Sequence, residues 1–178
     1  LVGGIGIVLI PLIYKFIPGM SAHLKSVGNR ESTWRVLGKV FESPAQQQAL
    51  LFSGLLMMGH FLIIPFLNPY LEFNKGFSKD LTPMVYLVGG ISSFAAAIFL
   101  GRFSDKKGKL PVFSISVFLS LFMVLVITNM PDVHFSIVLA FFAVWFILAT
   151  GRAVTAQAMV SEVVKTEQRG SFMSFNGS

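Results

Sequence analysis

The chain contains no cysteine, and charged residues are scarce, since Asp, Glu, Lys and Arg make up only 12% of its 178 residues. The absence of cysteine excludes disulfide frameworks and thiolate metal sites, and it leaves the redox compartment undetermined. A soluble domain carries about 25% charged residues, so the low proportion argues against one. Hydrophobic residues make up 54% of the chain and the mean hydropathy is +0.74, a composition typical of membrane proteins.

The chain also lacks the short motifs of ATP-driven pumps and membrane hydrolases. It has no P-loop, no HExxH helix and no GxSxG turn. We therefore expect no enzymatic activity, no cofactor and no metal site. The repeated polar or charged rings that would line a channel pore are also missing from its Phe- and Leu-rich segments.

Four long stretches contain no Asp, Glu, Lys or Arg, and each can hold the roughly 20 apolar residues that cross a bilayer as a helix. The predicted spans run from about Gln47 to Leu71, Leu81 to Gly101, Leu110 to Met130 and His134 to Gly151. Proline lacks a backbone N–H, so the first span is expected to break late, at Pro65 and Pro69. The four spans predict an all-α fold, a polytopic bundle of transmembrane helices.

The two ends of the chain indicate an internal fragment. Residues 1–18 are interpreted as the end of a transmembrane helix, because the apolar run at the start is too short for a full crossing. Residues 19–46 form a polar connection, in which Ser32 to Phe41 has the apolar face of an amphipathic surface helix. The residues after Arg169 leave room only for the first turns of another helix.

Lysine and arginine gather in alternate connections between the spans. Twelve of the fourteen lie in three of these connections, at Lys15, Lys25, Arg30, Arg35, Lys39, Arg102, Lys106, Lys107, Lys109, Arg152, Lys165 and Arg169. The positive-inside rule then places loops 19–46, 102–109 and 152–169 in the cytoplasm. The same distribution explains the net charge of +6 without a nucleic-acid partner.

The segment GRFSDKKGKLPVF, between the second and third spans, resembles the cytoplasmic signature of the major facilitator superfamily, G-x-L-A-D-R-x-G-R-[KR]-x-x-[LI]. The matching residues are Gly101, Asp105, Lys106, Gly108 and Lys109. Phe103, Ser104 and Leu110 depart from the usual pattern. Two further segments, GHFLIIPFLNPYL and YLVGG, and the pair Arg169-Gly170 are similar to bacterial drug or sugar-efflux facilitators.

This resemblance implies a twelve-helix fold of two six-helix halves, with the solute held between them. It also implies the bacterial inner membrane. The long basic connection fits the region that joins the halves. Residues 1–18 would then end the sixth helix, and residues 47–178 would hold the seventh to tenth helices with the start of the eleventh. Placement in the N-terminal half is the alternative.

The signature residues have roles that elementary chemistry explains. Gly101 is expected to permit close packing, and Gly108 to supply a turn conformation that side chains disfavour. Asp105, a carboxylate at the membrane rim, needs a cationic partner, and the resemblance implies that Arg152 is that partner. With Lys106 and Lys109 these residues are expected to form a conformational latch. The alternative is that the basic loop only fixes topology.

A stripe of small residues in the second span, Gly89, Ser93, Ala97 and Gly101, recurs every fourth residue and allows close approach of another helix. Such a stripe is typical of tight packing, and it also suits a helix that slides or rocks on its neighbour.

His60, near the middle of the first span, is the leading candidate for a substrate cavity, because an ionisable group at that depth faces a cavity or a protein partner. Around the helix Ser53 lies about 20° from it and Asn68 about 80°. Asn68, Tyr86 and Trp145 are further cavity candidates, or alternatively anchors at the membrane interface. Because no complete span contains an Asp or Glu, a proton-carrying carboxylate is expected in the missing half, and His60 is the alternative candidate for proton coupling.

These features predict a secondary transporter that moves a small solute by alternating access, as an efflux carrier or a proton-coupled permease. The expected partners are a small-molecule substrate, the lipid bilayer and the missing N-terminal half of the same chain. The alternative left open is a receptor or assembly protein that uses the same helices without transport.

Overall fold

A computed structural model describes residues 38, 43–164 and 169–177. The chain divides into two compact units, Leu1–Lys39 and Val40–Ser178, and every described residue except Gly38 belongs to the second. The transmembrane helix end predicted at 1–18, and the amphipathic helix predicted within 19–46 apart from Gly38, lie outside the described residues.

The second unit is built from α-helices. Their bounds are α1, Pro44–Phe61; α2, Ile64–Pro69; α3, Thr82–Lys107; α4, Lys109–Thr128; α5, Phe135–Glu162; and α6, Arg169–Asn176. A π-helical turn at Tyr70–Asn74 continues α2, and a 3-10 turn at Lys79–Leu81 leads into α3.

Within the described residues, four stretches are long and apolar enough to cross a membrane. They are Pro44–Asn74, Lys79–Lys107, Lys109–Thr128 and Phe135–Glu162. The prediction of four spans in an all-helical bundle is therefore confirmed. Large apolar side chains cover the outside of these helices, and Phe94 and Phe118 are each 73% exposed. A helix that is apolar around its whole circumference suits a lipid environment.

The first spanning stretch breaks between α1 and α2, where Pro65 enters the first turn of α2. The chain is held there by short-range bonds, from Ile63 N to the His60 carbonyl at 3.2 Å and from Phe66 N to the Ile63 carbonyl at 3.1 Å. The predicted break at Pro65 is confirmed. Pro69 does not break the chain in the same way, because the backbone continues into the π-helical turn.

Helix α5 is the centre of the unit and packs along both α3 and α4. It runs parallel to α3, because Gly89 lies against Phe146 and Gly101 lies near Val154. A Cβ on Gly89 would lie 2.5 Å from the Phe146 ring, so the missing side chain is what permits this approach. At Gly101 the nearest atom would be 3.9 Å away. The tightest approach is therefore at Gly89, the first residue of the predicted stripe, whereas Gly101 has only an ordinary van der Waals contact.

Two apolar clusters lie at opposite ends of the helices. One joins the ends of α2, α4 and α5 with α3 and is formed by Leu67, Leu71, Val85, Ile127, Met130, Val138, Phe142 and Trp145. The other joins α1, the end of α5 and α6 and is formed by Ala49, Val160, Val164 and Phe172. Between the two clusters, residues of α1 and α5 form the walls of a cavity.

Two helices extend beyond the spans predicted from sequence. Helix α3 continues to Lys107 rather than Gly101, and α5 continues to Glu162 rather than Gly151. Most residues of the predicted connections 102–109 and 152–169 are therefore helical. A charged side chain does not end a helix, because the backbone hydrogen bonds are satisfied within the helix whatever surrounds it.

Gly108 alone separates α3 from α4. Its φ of +95° and ψ of 146° lie in a region that is essentially restricted to glycine. The turn conformation predicted for Gly108 is confirmed. The rest of the signature, including Asp105, Lys106 and Lys109, lies on the two helices that this residue joins.

Candidate functional site: a cavity between two spanning helices

A cavity of about 320 Å³ lies between α1 and α5, and α6 closes one side of it. Its polar lining residues are Ser53, His60, Arg152, Gln157 and Asn176. Ser53 and His60 are half-buried on α1, so the structure brings together the two residues that the sequence placed about 20° apart on one helix face.

The two ionisable residues of the cavity lie away from the ends of their spanning stretches, although His60 is in the last turn of α1 itself. His60 is the seventeenth of the 31 residues in Pro44–Asn74, and Arg152 is the eighteenth of the 28 residues of α5. At 1.5 Å per residue, Arg152 is about 5 Å from the centre of its helix. The hydrocarbon core of a bilayer extends roughly 15 Å on either side of its midplane. Both residues therefore lie well inside the stretches that are long and apolar enough to cross a membrane.

Small residues around Arg152 make room for the cavity. Ala149, Ala153 and Ala156 contribute to its wall on α5, and Gly54 does so on α1. Larger side chains at these four positions would fill the space between the helices. The cavity therefore forms because alanine and glycine lie next to the polar residues Ser53 and Arg152 in the sequence.

The Arg152 guanidinium has few partners. Its Nη1 donates to the Ser120 hydroxyl at 3.5 Å, the long limit of a hydrogen bond, and Ser120 itself donates to the Val117 carbonyl at 2.8 Å. A guanidinium has five N–H donors. In the part of the chain that the structure describes, ion pairs join Lys75 to Asp132 and Lys109 to Glu162, and none involves Arg152.

The structure does not bring Asp105 and Arg152 together in the ion pair predicted from sequence. Asp105 is exposed near the end of α3, and it forms no ion pair with any described residue. Arg152 lies ten residues before the end of α5, because that helix does not stop at Gly151. Arg152 therefore lines the cavity and does not lie at the end of α5.

An ion pair does form at the end of the bundle that carries the signature, between Lys109 and Glu162. Lys109 is the first residue of α4 and Glu162 is the last residue of α5. The pair therefore ties the signature to the central helix. Sequence reasoning missed Glu162, although it is the first carboxylate after the fourth span and lies on the side where the basic residues gather.

Asn68 and Tyr86 lie away from the cavity, near the opposite end of the helices. The Tyr86 hydroxyl donates to Asn68 Oδ1 at 2.8 Å, which links α2 to α3. Together they line a separate depression with Glu72 and Lys79. The structure thus joins these two candidates to each other but not to His60.

Trp145, the remaining cavity candidate, is a core residue. Its side chain is 1% exposed, and its ring contacts Phe146 edge to face with centroids 5.1 Å apart. Trp145 belongs to the apolar cluster that includes the start of α5, and it lines a separate apolar cavity of about 290 Å³ rather than the cavity beside Arg152.

Sequence reasoning missed three cavity residues. Arg152 was assigned to the latch, and Gln157 and Asn176 were not singled out. The signal for Arg152 and Gln157 was present, because two polar side chains follow the last predicted span among alanines that have high helix propensity. Asn176 could not be found in this way, because its place depends on how α6 packs against α5.

The cavity is suited to binding a small polar solute. Its volume lies at the lower end of the 300–1,000 Å³ typical of ligand pockets. Arg152 offers donors only, whereas Ser53, His60, Gln157 and Asn176 can each offer a donor and an acceptor. No acidic residue lines it in the described part of the chain.

Comparison with known proteins gives one match. A sequence model of the Major Facilitator Superfamily matches residues 1–178, which include all four spanning stretches. No curated protein and no solved structure matches the chain.

Proposed function

Because the chain belongs to the major facilitator superfamily, a family of membrane transporters, we propose that it is a secondary transporter that moves a small solute by alternating access. The observation that carries this proposal is the cavity between α1 and α5, whose largely apolar wall contains His60 and Arg152 well inside their spanning stretches. In secondary transporters the substrate binds near the bilayer midplane, between helical repeats.

The proposed placement in the full transporter follows the basic connection at 19–46. Residues 47–178 are assigned to the C-terminal half, with Pro44–Asn74 as the seventh helix and α5 as the tenth. The ends of α3 and α5 that carry Lys107 and Glu162 then face the cytoplasm, in accordance with the positive-inside rule. The membrane is proposed to be a bacterial inner membrane.

In the proposed cycle the two halves rock about the cavity, so that it opens first to one side of the membrane and then to the other. The latch at the cytoplasmic end consists of the signature residues, with Lys109 paired to Glu162 in the described state. Asp105 is exposed in this state, so its carboxylate is available to a partner in the other state. The residue Arg152, first assigned to the latch, is instead assigned to the substrate site.

Transport is tested in proteoliposomes that contain the protein expressed from its full-length gene. Radiolabelled organic acids, sugars and the cationic dye ethidium are offered in turn, with and without an imposed proton gradient. The expected result is protein-dependent movement of at least one solute. Accumulation driven by the gradient identifies a proton-coupled permease, and export identifies an efflux carrier.

The competing function is a receptor on the same scaffold, which would bind a solute without moving it. Saturable binding to the purified protein, together with vesicles that show no protein-dependent flux of the bound solute, would contradict the transport proposal. A His60→Gln variant is compared with wild type at several pH values. Unchanged pH dependence of transport in this variant would remove His60 from the proton pathway.

A further inference from the structure

The cavity contains a positive charge whose countercharge is not among the described residues. Arg152 is half-buried, makes only the 3.5 Å hydrogen bond to Ser120, and has no ion pair in the described part of the chain. A charge at membrane depth is costly unless an opposite charge or several hydrogen bonds compensate it. A bound anion would supply both.

The geometry of an arginine favours particular anions. Its planar fork forms two parallel hydrogen bonds with a carboxylate or a phosphate, which a spherical anion cannot accept in the same way. His60, Ser53 and Gln157 line the same cavity and can donate to the remaining oxygens of such a group.

Asn176 contributes an independent observation. Its Oδ1 is buried and accepts no hydrogen bond within the described structure, although the side chain lines the cavity. Buried acceptors are nearly always satisfied, so an acceptor without a donor at the wall of a cavity points to a donor on a ligand. A hydroxyl group on the solute would fill this role.

The volume limits the size of the solute. A water molecule occupies about 30 Å³ in the liquid, so a cavity of about 320 Å³ holds on the order of ten non-hydrogen atoms. Because the cavity is partly open, a small hydroxy acid fits within it, and a larger sugar acid or sugar phosphate binds with one end inside and the other end projecting from it.

We propose that the transported solute is a small hydroxylated organic anion whose carboxylate or phosphate group binds Arg152, while its hydroxyl groups bind Asn176 and the other polar residues of the cavity. The proposal rests on the proposed transport function, because it assigns the cavity as the solute site. Carboxylate and phosphate share the same recognition chemistry, and the experiment separates them.

The test measures the thermal unfolding midpoint of the purified full-length protein in phosphate-free buffer. The probes are gluconate, citrate and glucose 6-phosphate, with glucose as the neutral control and glucosamine as the cationic control. We expect at least one anionic probe to raise the midpoint at millimolar concentration, whereas glucose and glucosamine leave it unchanged. Stabilisation by gluconate identifies a carboxylate site, and stabilisation by glucose 6-phosphate alone identifies a phosphate site.

Three variants assign the effect to Arg152. Arg152→Gln should raise the apparent Kd of the active probe by about tenfold or more, since a hydrogen bond to a charged group is lost. Arg152→Lys keeps the charge and should retain part of the affinity. Arg102→Gln removes an exposed arginine of α3 that does not line the cavity, and it should bind like the wild type.

The thermal unfolding midpoint measured without ligand distinguishes two sources of the countercharge of Arg152, a bound anion and a carboxylate elsewhere in the protein. If the countercharge comes from the solute, Arg152→Gln without ligand should unfold at the same temperature as wild type or higher. A lower midpoint would show that Arg152 is paired within the protein and would overturn the proposal. Equal stabilisation by glucose, no stabilisation by any anionic probe, or an unchanged Kd in Arg152→Gln would also overturn it.

Failure of the anion-site proposal can be distinguished from failure of the transport proposal. Anion binding that depends on Arg152, without flux of that anion in vesicles, would leave the site intact and contradict transport. Flux of a neutral solute that is unaffected by Arg152→Gln would support transport and contradict the anion site.

Discussion

His60 on α1 and Arg152 on α5 line the same cavity, and each lies well inside its spanning stretch. The two residues are far apart in sequence and are joined by the antiparallel packing of α1 against α5. This relationship changes the role of Arg152. An arginine at the membrane rim would be a latch partner for Asp105, whereas an arginine beside His60 belongs to the place where a solute binds.

Replacing Gly89 by alanine tests the packing of α3 on α5. The new Cβ would lie 2.5 Å from the Phe146 ring, which itself contacts Trp145. We expect a loss of about 1–3 kcal/mol in stability, typical of overpacking, measured as thermal unfolding in detergent. Gly90→Ala is the matched control, because nothing lies within 4 Å of that position. A Gly89→Ala protein as stable as the control would contradict the described packing.

Gly108→Ala and Gly108→Asn test the single-residue connection between α3 and α4. Because φ is +95° and ψ is 146°, both substitutions should destabilise the protein by about 1–3 kcal/mol. Asparagine should give no rescue, since it tolerates the left-handed helical region rather than this one. If the asparagine variant were as stable as wild type, the connection would have a different backbone conformation.

Lys109→Gln and Glu162→Gln test the ion pair at the end of α4 and α5. Both side chains are partly exposed, so each variant should change stability by no more than about 1 kcal/mol. Transport should fall in each single variant and recover in the double variant Lys109→Glu with Glu162→Lys. The control is Lys107→Gln, which removes an exposed lysine that forms no ion pair with any described residue. An equal loss of transport in Lys107→Gln would show that transport depends on the total charge of this region and not on the Lys109–Glu162 ion pair.

The Asp105→Asn variant tests whether Asp105 acts in the latch without contributing to the stability of the fold. Asp105 is exposed and forms no ion pair with the described residues, so thermal stability should match wild type. Transport should nevertheless decrease, and spin-label distances across the cytoplasmic side should report a changed balance of inward-open and outward-open states. If transport and the balance of states were both unaltered, Asp105 would have no role in the latch.

The helices themselves could be predicted from the sequence. A stretch without charge that is long enough to cross a bilayer can be recognised by counting residues, and the break at Pro65 and the conformation of Gly108 follow from backbone chemistry. These features depend on local sequence. They required no knowledge of which helix packs against which.

The site could be predicted only in part, because charge was used to mark the ends of helices. Arg152 was placed outside the fourth span, although α5 continues to Glu162 and carries Arg152 into the cavity. A charged residue that meets water marks the end of a membrane span, although the helix can continue beyond it. Where it faces a polar cavity it lies inside the span, and sequence alone does not show the cavity.

The other cavity candidates illustrate a second limit. Trp145 is buried in the apolar core, and Tyr86 donates to Asn68 near the far end of the bundle. Residue type and depth are similar for a cavity residue and for a residue in helix packing. Only the arrangement of α2, α3 and α5 decides between these roles.

The most direct measurement of the central claim is the accessibility of a thiol at Ser53 in the cavity. None of the 178 residues is cysteine, so Ser53→Cys adds one thiol to them, and any cysteine elsewhere in the full-length protein is first replaced. Ser78→Cys, exposed in the connection between the first two spanning stretches and outside the cavity, is the control.

A membrane-impermeant maleimide is applied to one side of oriented vesicles and then, in a separate sample, to the other. A transporter with alternating access should be labelled at Ser53→Cys from both sides, and the transported solute should slow that labelling without affecting the labelling of Ser78→Cys. Labelling from one side only, unchanged by every solute that binds, would contradict the account.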